Sequence, residues 1–450
     1  MQSALPPPAE VDGPALSSGW RGDGAWLLTA GWTACGVALW LMFPMAAPVL
    51  LPLCGVAPLL WYWAAERRLP WHAPSPVTAA LVLAGIYLLI NASWSLSPTA
   101  AFRAVALIFV IVAVLHIVQH TLPELDGSAL RAMAVGTLAG LAAGGVLLCI
   151  EVFSDQTLRR MLIPLVPALL PYPQHLAMEG GQMAGLMPYL PNVSVSVLTL
   201  LFWPAVLIAG QLGLVRRHQW GVLAASAVTA ITVFASEHTT SKVAFAGAGV
   251  AFAMFLARPL LAKRLVIAGW VAATLFVVPI ALLMYGADAH RATWLPESAR
   301  HRIVIWKYTS DQVARAPLLG TGISTARTLH EARSPEGPLA PGTKFALGTG
   351  LHSHNAYLQV WYETGAVGAL LLLGLGLLVL RALAGFPVEV QPYLAATFVT
   401  CALVAASGFS ISAPWFIASL AMACVFAALG AALPAGSVGH AEAAAASGAR

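Results

Sequence analysis

Long apolar runs recur along the whole chain, from near Trp26 to near Ala432, with short polar segments between them. A helix needs about 20 apolar residues to cross the hydrocarbon core of a bilayer. Charged residues make up 9% of the 450 residues and hydrophobic residues 59%, whereas a soluble domain carries about 25% charged residues. The pattern therefore predicts an integral membrane protein and excludes a soluble globular protein and a disordered chain.

The apolar runs show no long alternating strand pattern, which favours helices over a transmembrane barrel. We therefore expect an all-α polytopic membrane protein with about twelve transmembrane helices. The predicted spans are 26–43, 45–64, 77–93, 102–120, 132–153, 192–215, 219–236, 243–257, 265–286, 356–380, 391–408 and 413–432. The five cysteines lie inside apolar runs, which is typical of small buried hydrophobic residues rather than of a disulfide framework.

Basic residues cluster in short loops on one side of the predicted bundle. These loops carry Arg67–Arg68, Arg216–Arg217, Arg258 with Lys263–Arg264, and Arg381. Short loops rich in Arg and Lys stay in the cytoplasm. Both termini are therefore expected in the cytoplasm, with residues 1–25 as an N-terminal tail, 26–432 as the transmembrane domain and 433–450 as a disordered C-terminal tail.

Two segments on the opposite side, about 154–191 and 287–355, are too long to be simple connectors. The second segment holds eight basic and five acidic residues, together with five of the twelve histidines. The polar chemistry of the chain is therefore expected on this face.

A helix is predicted over residues 299–316, with Ser298 as its cap. Arg302 and Trp306 are four residues apart and share one face of this helix. A guanidinium offers a planar fork to phosphate oxygens, so this face suits an anion beside a sugar or lipid. The alternative is an amphipathic helix on the membrane surface, with its basic residues against lipid phosphates.

Two histidines, His352 and His354, precede the tenth predicted span, and Asn355 is a natural N-cap for it. Histidine has an unperturbed pKa near neutrality, so it can take a proton from a hydroxyl. The alternative for each histidine is an ordinary loop or interface residue. A metal site is not predicted, because no cysteine or clear acidic third ligand lies nearby.

Residues 354–368 read His-Asn, nine residues, Gly, two residues, Gly. Upstream stand Arg302-Ile-Val-Ile-Trp306 and, at 317–322, Pro-Leu-Leu-Gly-Thr-Gly. With these motifs the chain resembles the O-antigen ligase and polymerase superfamily. The resemblance covers most of the chain, including a large, partly helical periplasmic loop before the tenth span, and implies a GT-C-like fold.

The resemblance implies a glycosyltransferase at the periplasmic face of the bacterial inner membrane. Such enzymes move a glycan from undecaprenyl pyrophosphate to a sugar hydroxyl of lipid A–core, without a metal, a cofactor or a nucleotide sugar. His354 would act as general base or orient the acceptor, and Arg302 would hold the pyrophosphate. Membrane lipids are expected partners, and nucleic acid is not.

Further candidates for substrate binding are Lys242, Arg159, Arg160, Trp306, Asn355 and His352. Lys242 stands where many family members carry an arginine, and lysine lacks the bidentate fork. The alternative for Lys242 is an ion pair with Glu237, and the alternative for Arg159 and Arg160 is contact with lipid headgroups.

Three other functions stay open. A polysaccharide polymerase or a protein O-oligosaccharyltransferase of the same superfamily would use the same donor with another acceptor. A glycolipid transporter or flippase is the rival from a different class. It would need charged residues near mid-membrane and two matching halves. The chain has few charges within its spans, and Glu151, the main exception, would lie near the outer face.

Overall fold

The computed structural model describes residues 23–53, 73–163, 165, 176–179, 182–331 and 338–434. Nearly all of the predicted N-terminal tail, 1–25, lies outside these residues, as does the predicted C-terminal tail from residue 435 onward. The second predicted span, 45–64, is described only as far as residue 53.

The described chain is mostly helical, with one short hairpin. Its helices are α1 (Asp23–Met42), α2 (Pro44–Leu53), α3 (Pro76–Asn91), α4 (Pro98–Thr121), α5 (Gly127–Phe153), α6 (Thr157–Leu162), α7 (Asn192–Gln211), α8 (Leu214–Arg217), α9 (Gln219–Ala235), α10 (Thr239–Ala257), α11 (Pro259–Leu275), α12 (Val277–Gly286), α13 (Glu297–Val313), α14 (Thr325–Glu331), α15 (Ala356–Leu383), α16 (Gln391–Ser407) and α17 (Pro414–Ala432). Strand β1 (Leu176–Glu179) pairs antiparallel with β2 (Gln182–Leu186). The sequence did not predict this hairpin.

Eight of the described helices are long and apolar enough to cross a membrane: α1, α3, α4, α5, α7, α10, α15 and α17. The pair α11–α12 makes a ninth span if its two parts are counted together, and α2, α9 and α16 are shorter apolar helices. These segments correspond one by one to the twelve predicted spans. The predicted class, an all-α polytopic membrane protein, is confirmed.

The ninth predicted span, 265–286, consists of two helices with a bend between them. The α11 helix ends at Leu275, and α12 continues at an angle of 73° to it. Pro279 explains the break, because it has no N–H to donate to the carbonyl of Leu275 and its ring crowds that carbonyl.

The helix predicted over 299–316 is confirmed as α13, but the expected cap at Ser298 was wrong. Pro296 occupies the N-cap position, and no side chain caps the helix. Ser298 lies inside the first turn because the chain enters the helix directly from Pro296, at a backbone φ of −54°.

Helices α7 and α17 lie at the centre of the described bundle, with 72% and 67% of their spans buried. Large buried side chains such as Leu200 and Phe416 belong to the main apolar core that they share. A buried hydrogen bond of 3.1 Å from Trp40 Nε1 to Ser419 Oγ ties α1 to α17. These helices form the buried apolar core of the bundle.

Helices α1 and α5 pack closely along three glycines of α5, each four residues from the next. A Cβ at Gly136 would stand 2.3 Å from the carbonyl oxygen of Ala30, and one at Gly140 would stand 2.4 Å from that of Ala34. A Cβ at Gly144 would stand 2.7 Å from a methyl carbon of Leu41. Small residues at a spacing of four let two membrane helices approach until their backbones touch.

Helix α15 is broken at Gly365, whose φ is +64°. Residues 317–323 fill the break: Thr321 N donates to Tyr362 O at 3.0 Å, and Ala366 N donates to Pro317 O at 2.8 Å. From α3, Asn91 Nδ2 donates to Glu363 O at 3.1 Å. The backbone groups that the break would leave unpaired are thus bonded inside the protein, as an apolar environment requires.

Glycines allow this contact between backbones. A Cβ at Gly320 would stand 2.3 Å from the carbonyl carbon of Glu363, and one at Gly365 would stand 2.4 Å from Leu318. Both glycines have positive φ values, which other residues adopt at a cost. The two sequence motifs around residues 317–322 and 354–368 therefore meet here for a structural reason.

We predict that Gly140→Ala destabilises the protein by about 1–3 kcal/mol, because overpacking forces two helices apart. Gly145→Ala is the matched control, since its Cβ would stand 3.8 Å from Leu198 in ordinary contact. The midpoint of thermal unfolding in detergent, followed by size-exclusion chromatography, measures the difference. Equal midpoints for the two variants would contradict close packing of α1 on α5.

Candidate active site

Residues 352–355 form a tight loop before α15, and their hydrogen bonds fix it to two helices. Asn355 Oδ1 accepts from Leu358 N at 3.1 Å, so the expected N-cap is confirmed. Ser353 Oγ donates to Asn355 O at 2.6 Å. From α13, Trp306 Nε1 donates to Ser353 O at 2.8 Å. The loop therefore has a fixed position relative to both α13 and α15.

His354 is held as a neutral base by its surroundings. Its Nδ1 lies 3.2 Å from Gly408 O, and a carbonyl can only accept, so Nδ1 carries the proton and Nε2 keeps its lone pair. Burial and the charge of Arg302 lower the pKa of His354 to about 4. The backbone of His354 has a φ of +52°, a costly conformation that the bonds of the loop maintain.

His352 packs against His354 with 4.0 Å between the ring centroids. Its Nδ1 accepts from His354 N at 3.0 Å, so the proton of the neutral ring is on Nε2. Burial lowers the pKa of His352 well below its usual value, and the charges of His354 and Arg302 lower it further. His352 thus supports the loop backbone and presents an N–H donor.

Arg302 reaches from α13 to the first turn of α10. Its Nη1 donates to Thr240 Oγ1 at 3.4 Å. Thr240 Oγ1 in turn donates to Ser407 O at 3.0 Å and accepts from Ser407 Oγ at 3.2 Å. Three separate helices, α10, α13 and α16, therefore meet at the hydroxyl of Thr240.

In the part of the chain that the structure describes, no carboxylate forms an ion pair with Arg302. Burial lowers the pKa of Arg302, but an arginine stays charged at neutral pH. A partly buried cation without a counter-charge is costly. The arrangement is therefore suited to binding an anion from outside the protein.

His238 belongs to this cluster, although the sequence did not single it out. Its Nδ1 lies 2.7 Å from Ser241 Oγ and 3.1 Å from Ser196 Oγ. Its ring packs against Phe409, with 5.5 Å between centroids, next to the carbonyl that His354 contacts. Burial, then Arg302 and His354, lower the pKa of His238 to about 3.

Thr240 was also missed in the sequence. It lies in the same turn as Lys242, which was noticed for its charge, whereas a lone histidine or threonine gives no signal of its own. Only the contacts of Thr240 with Arg302 and Ser407, and of His238 with Phe409, show that these two residues face the site.

Lys242 is not brought to Arg302 by any described hydrogen bond or ion pair. It follows Thr240 by two residues, which is about 200° around a helix, so the two residues lie on nearly opposite faces of α10. No ion pair joins Lys242 to Glu237 among the described residues either, and Glu237 is exposed. The role of Lys242 in phosphate binding stays a prediction.

Arg159 and Arg160 lie in α6, in a different polar cluster. Arg159 Nη2 donates to Ser194 Oγ at 2.8 Å and to Met42 O at 3.3 Å. Its Nε lies 3.7 Å from Glu151 Oε2, and both side chains are buried. Arg160 forms an exposed ion pair with Asp155. Unlike Arg302, both arginines already have a carboxylate partner.

Glu363 is a further polar group that the sequence did not reveal. It is fully buried in α15, where its Oε1 accepts from Ala326 N at 3.2 Å and its Oε2 accepts from Ser412 Oγ at 3.4 Å. It thereby links α15 to the start of α14 and to the turn between α16 and α17. That turn also carries Gly408, the partner of His354.

The cluster holds cations and neutral bases rather than carboxylates. Among the described residues, no group of three or more His, Cys, Asp and Glu side chains is placed to hold a metal ion. Arg302, His354 and the hydroxyls of Thr240 and Ser407 instead offer an anion site beside a proton acceptor. This combination suits the departure of an anionic group and the activation of a hydroxyl.

We predict that Arg159→Ala destabilises the protein by about 3–5 kcal/mol, because it leaves Glu151 buried without its partner. Arg160→Ala is the control, since an exposed pair contributes about 0–1 kcal/mol. Thermal unfolding of the purified variants measures both. If Arg159→Ala unfolded at the same temperature as Arg160→Ala, the buried pair would have no structural role.

Residues 224–373 match the sequence model of a protein family described as O-antigen ligase. This range includes α13, the loop around His354 and the break in α15. A similar protein is a putative polysaccharide ligase of Rickettsia felis, 27% identical over 187 residues. The match covers 41% of this chain and 44% of that protein, so less than half of the relative's length is spanned. The resemblance to the O-antigen ligase superfamily is confirmed by this match over residues 224–373.

Proposed function

We propose that this chain is a glycosyltransferase of the O-antigen ligase type. Its donor would be a glycan on undecaprenyl pyrophosphate, and its acceptor a sugar hydroxyl of lipid A–core. The observation that carries the proposal is the pairing of Arg302, a partly buried cation without a carboxylate partner, with His354, a neutral histidine whose Nε2 is free to accept a proton. The name of the Rickettsia felis relative, a putative polysaccharide ligase, supports the ligase type.

In the proposed reaction the acceptor oxygen attacks the anomeric carbon of the glycan. The new glycosidic bond forms as the bond from that carbon to the pyrophosphate oxygen breaks, and the pyrophosphate leaves with the electron pair. Nε2 of His354 takes the proton of the acceptor hydroxyl, which is a poor nucleophile until that proton begins to leave. Arg302 stabilises the negative charge that develops on the leaving group.

Cations of the protein would replace a metal ion in this role. Mg²⁺ is held in proteins by carboxylates and other oxygen ligands, and the described cluster offers arginine and histidine instead. We therefore propose a metal-independent reaction.

The proposed location is the bacterial inner membrane, with the site at the periplasmic face and both termini in the cytoplasm. Supporting this orientation, α10 carries Thr240 in its first turn and is followed by Arg258 at its other end. Likewise α15 begins beside His354 and carries Arg381 in its last turn. Short basic loops stay in the cytoplasm, so the site would face the opposite side.

Reconstituted transfer tests the function and its rivals. Purified protein in liposomes receives undecaprenyl-pyrophosphate glycan and lipid A–core in the presence of a chelator. Glycan on lipid A–core supports the ligase. A longer glycan on the lipid carrier would mean a polymerase, glycan on an added protein acceptor a protein O-oligosaccharyltransferase, and no product from a folded protein a transporter.

We predict that His354→Ala lowers kcat/KM for transfer by about 10²–10⁴-fold, through loss of the base. Arg302→Ala should lower it by about 10²–10³-fold, through loss of charge stabilisation. Arg302→Lys should recover only part of the rate, because lysine keeps the charge but not the planar fork. Initial rates in the reconstituted assay measure all three variants.

The matched control is Arg300→Ala, on the same helix. The guanidinium of Arg300 lies 6.0 Å from the ring centre of Phe345, away from the Thr240 contact. The Arg300→Ala variant should keep a near-normal rate of glycan transfer. Full transfer by His354→Ala would rule out the proposed mechanism, whatever the behaviour of the arginine variants.

We predict that kcat/KM for transfer stays constant between about pH 6 and 8. In acid it should fall with an apparent pKa of about 4, because burial and the charge of Arg302 hold the pKa of His354 at that value. A lowered pKa keeps the base form present above it and removes that form only below it. In Arg302→Gln the acid limb should move upward, because a Coulombic cause of the low pKa of His354 is gone. A limb at the ordinary histidine value of 6.5 in the unaltered protein would contradict this assignment.

A further inference from the structure

An apolar cavity of about 280 Å³ lies between α10, α11, α15 and α16. We name it the slot. Small residues leave the space open, among them Gly247, Ala251 and Gly269, and the aromatic side chains of Trp270 and Phe398 line it. The lining on α11 runs from Ala262 to Ala273, about 16 Å along the helix axis. The slot is therefore long and narrow, which suits one hydrocarbon chain rather than a globular ligand.

The slot lies below the candidate active site on the same face of α10. Gly247, Ala251 and Met254 line it, and they follow Thr240 by seven, eleven and fourteen residues. Residues at these intervals share one helical face. Thr240, which contacts Arg302, thus stands about 10 Å above the upper part of the slot.

Two further contacts join the slot to the site. Ala406 lines the slot, and the next residue, Ser407, accepts the hydrogen bond of Thr240. Tyr357 also lines it, two residues after the Asn355 cap, and its hydroxyl donates to Ala402 O at 3.1 Å.

The slot is open at the surface of the bundle between α10 and α11. Val250 and Leu265 line it and are 60% and 50% exposed. Exposed aliphatic side chains on membrane helices face lipid. A chain can therefore enter sideways from the bilayer without crossing the polar end.

We propose that the slot binds the polyprenyl chain of the pyrophosphate donor, so that this chain, and not only the pyrophosphate, is recognised. An occupant that also binds Arg302 would carry an anion at one end and a single long apolar chain below it. A polyprenyl pyrophosphate has that form, whereas a glycerophospholipid carries two chains. The inference rests on the proposed function, because it takes the donor from it.

Gly269→Phe tests the slot, because no heavy atom lies within 4 Å of the position of a Cβ there, and the new ring would fill the space. Gly249→Phe is the matched control: its Cβ position is equally open, but residue 249 is on the opposite face of α10 from Thr240 and does not line the slot. Transfer is measured with two donors that differ only in carrier, undecaprenyl or farnesyl.

For the unaltered protein and Gly249→Phe we expect a KM about tenfold or more lower for the undecaprenyl donor, since added methylenes gain burial. In Gly269→Phe the undecaprenyl KM should rise to the farnesyl value. A retained preference for undecaprenyl in Gly269→Phe would overturn the proposal.

A second measurement needs no variant. Undecaprenyl pyrophosphate with a photoreactive diazirine in its chain should label peptides containing Met254 or Trp270, and unlabelled undecaprenyl pyrophosphate should compete. Labelling of other peptides would overturn the proposal. Equal labelling of the same peptides by a phosphatidylglycerol with a diazirine in its chain would also overturn it, if undecaprenyl pyrophosphate did not displace that lipid. If the unaltered protein transferred glycan from neither donor, the proposed function would fail, while this labelling would still decide whether the slot binds the chain.

Discussion

The geometry of the site depends on how the chain bonds the backbone groups left unpaired at the break in α15. An apolar surrounding offers no water for such groups, so residues 317–323 and Asn91 supply the partners. Residues 317–323 follow α13 almost directly, so the segment that repairs α15 also fixes the end of the helix that carries Arg302. The backbone contact between residues 317–323 and α15 therefore connects the helix that carries Arg302 to the helix that follows His354.

Arg159 and Arg302 differ in whether a carboxylate balances the charge of the arginine, and this difference separates a structural role from a binding role. Arg159 has Glu151 beside it, and this pair joins α5 to α6. Arg302 donates to the hydroxyl of Thr240 and interacts electrostatically with His354, and it has no carboxylate partner among the described residues. The free energy spent on desolvating Arg302 is not recovered within the protein, and an anionic ligand would recover it.

The sequence predicted the helical membrane fold, the helix that carries Arg302 and the Asn355 cap, because each rests on a local pattern. Apolar length marks a span, and an asparagine before an apolar run marks a cap. It missed His238, Thr240 and Glu363, because their importance comes from contacts between helices far apart in the chain. The sequence also indicated Pro-Leu-Leu-Gly-Thr-Gly at 317–322 only as a family motif. The backbone hydrogen bonds of this segment to α15 could not be predicted, because they depend on the break at Gly365 and no periodicity in the sequence indicates that break.

Arg302 and His354 are electrostatically coupled, and this coupling orders the proposed reaction. The charge that would hold a pyrophosphate also contributes to lowering the pKa of His354 to about 4, and a base with so low a pKa is weak. A pyrophosphate bound at Arg302 would place negative charge near His354, and negative charge raises the pKa of a neighbouring histidine. The base would therefore gain strength only once the donor is bound. An acceptor hydroxyl that arrived first would meet a weak base, and the same hydroxyl in the ternary complex would meet a stronger one.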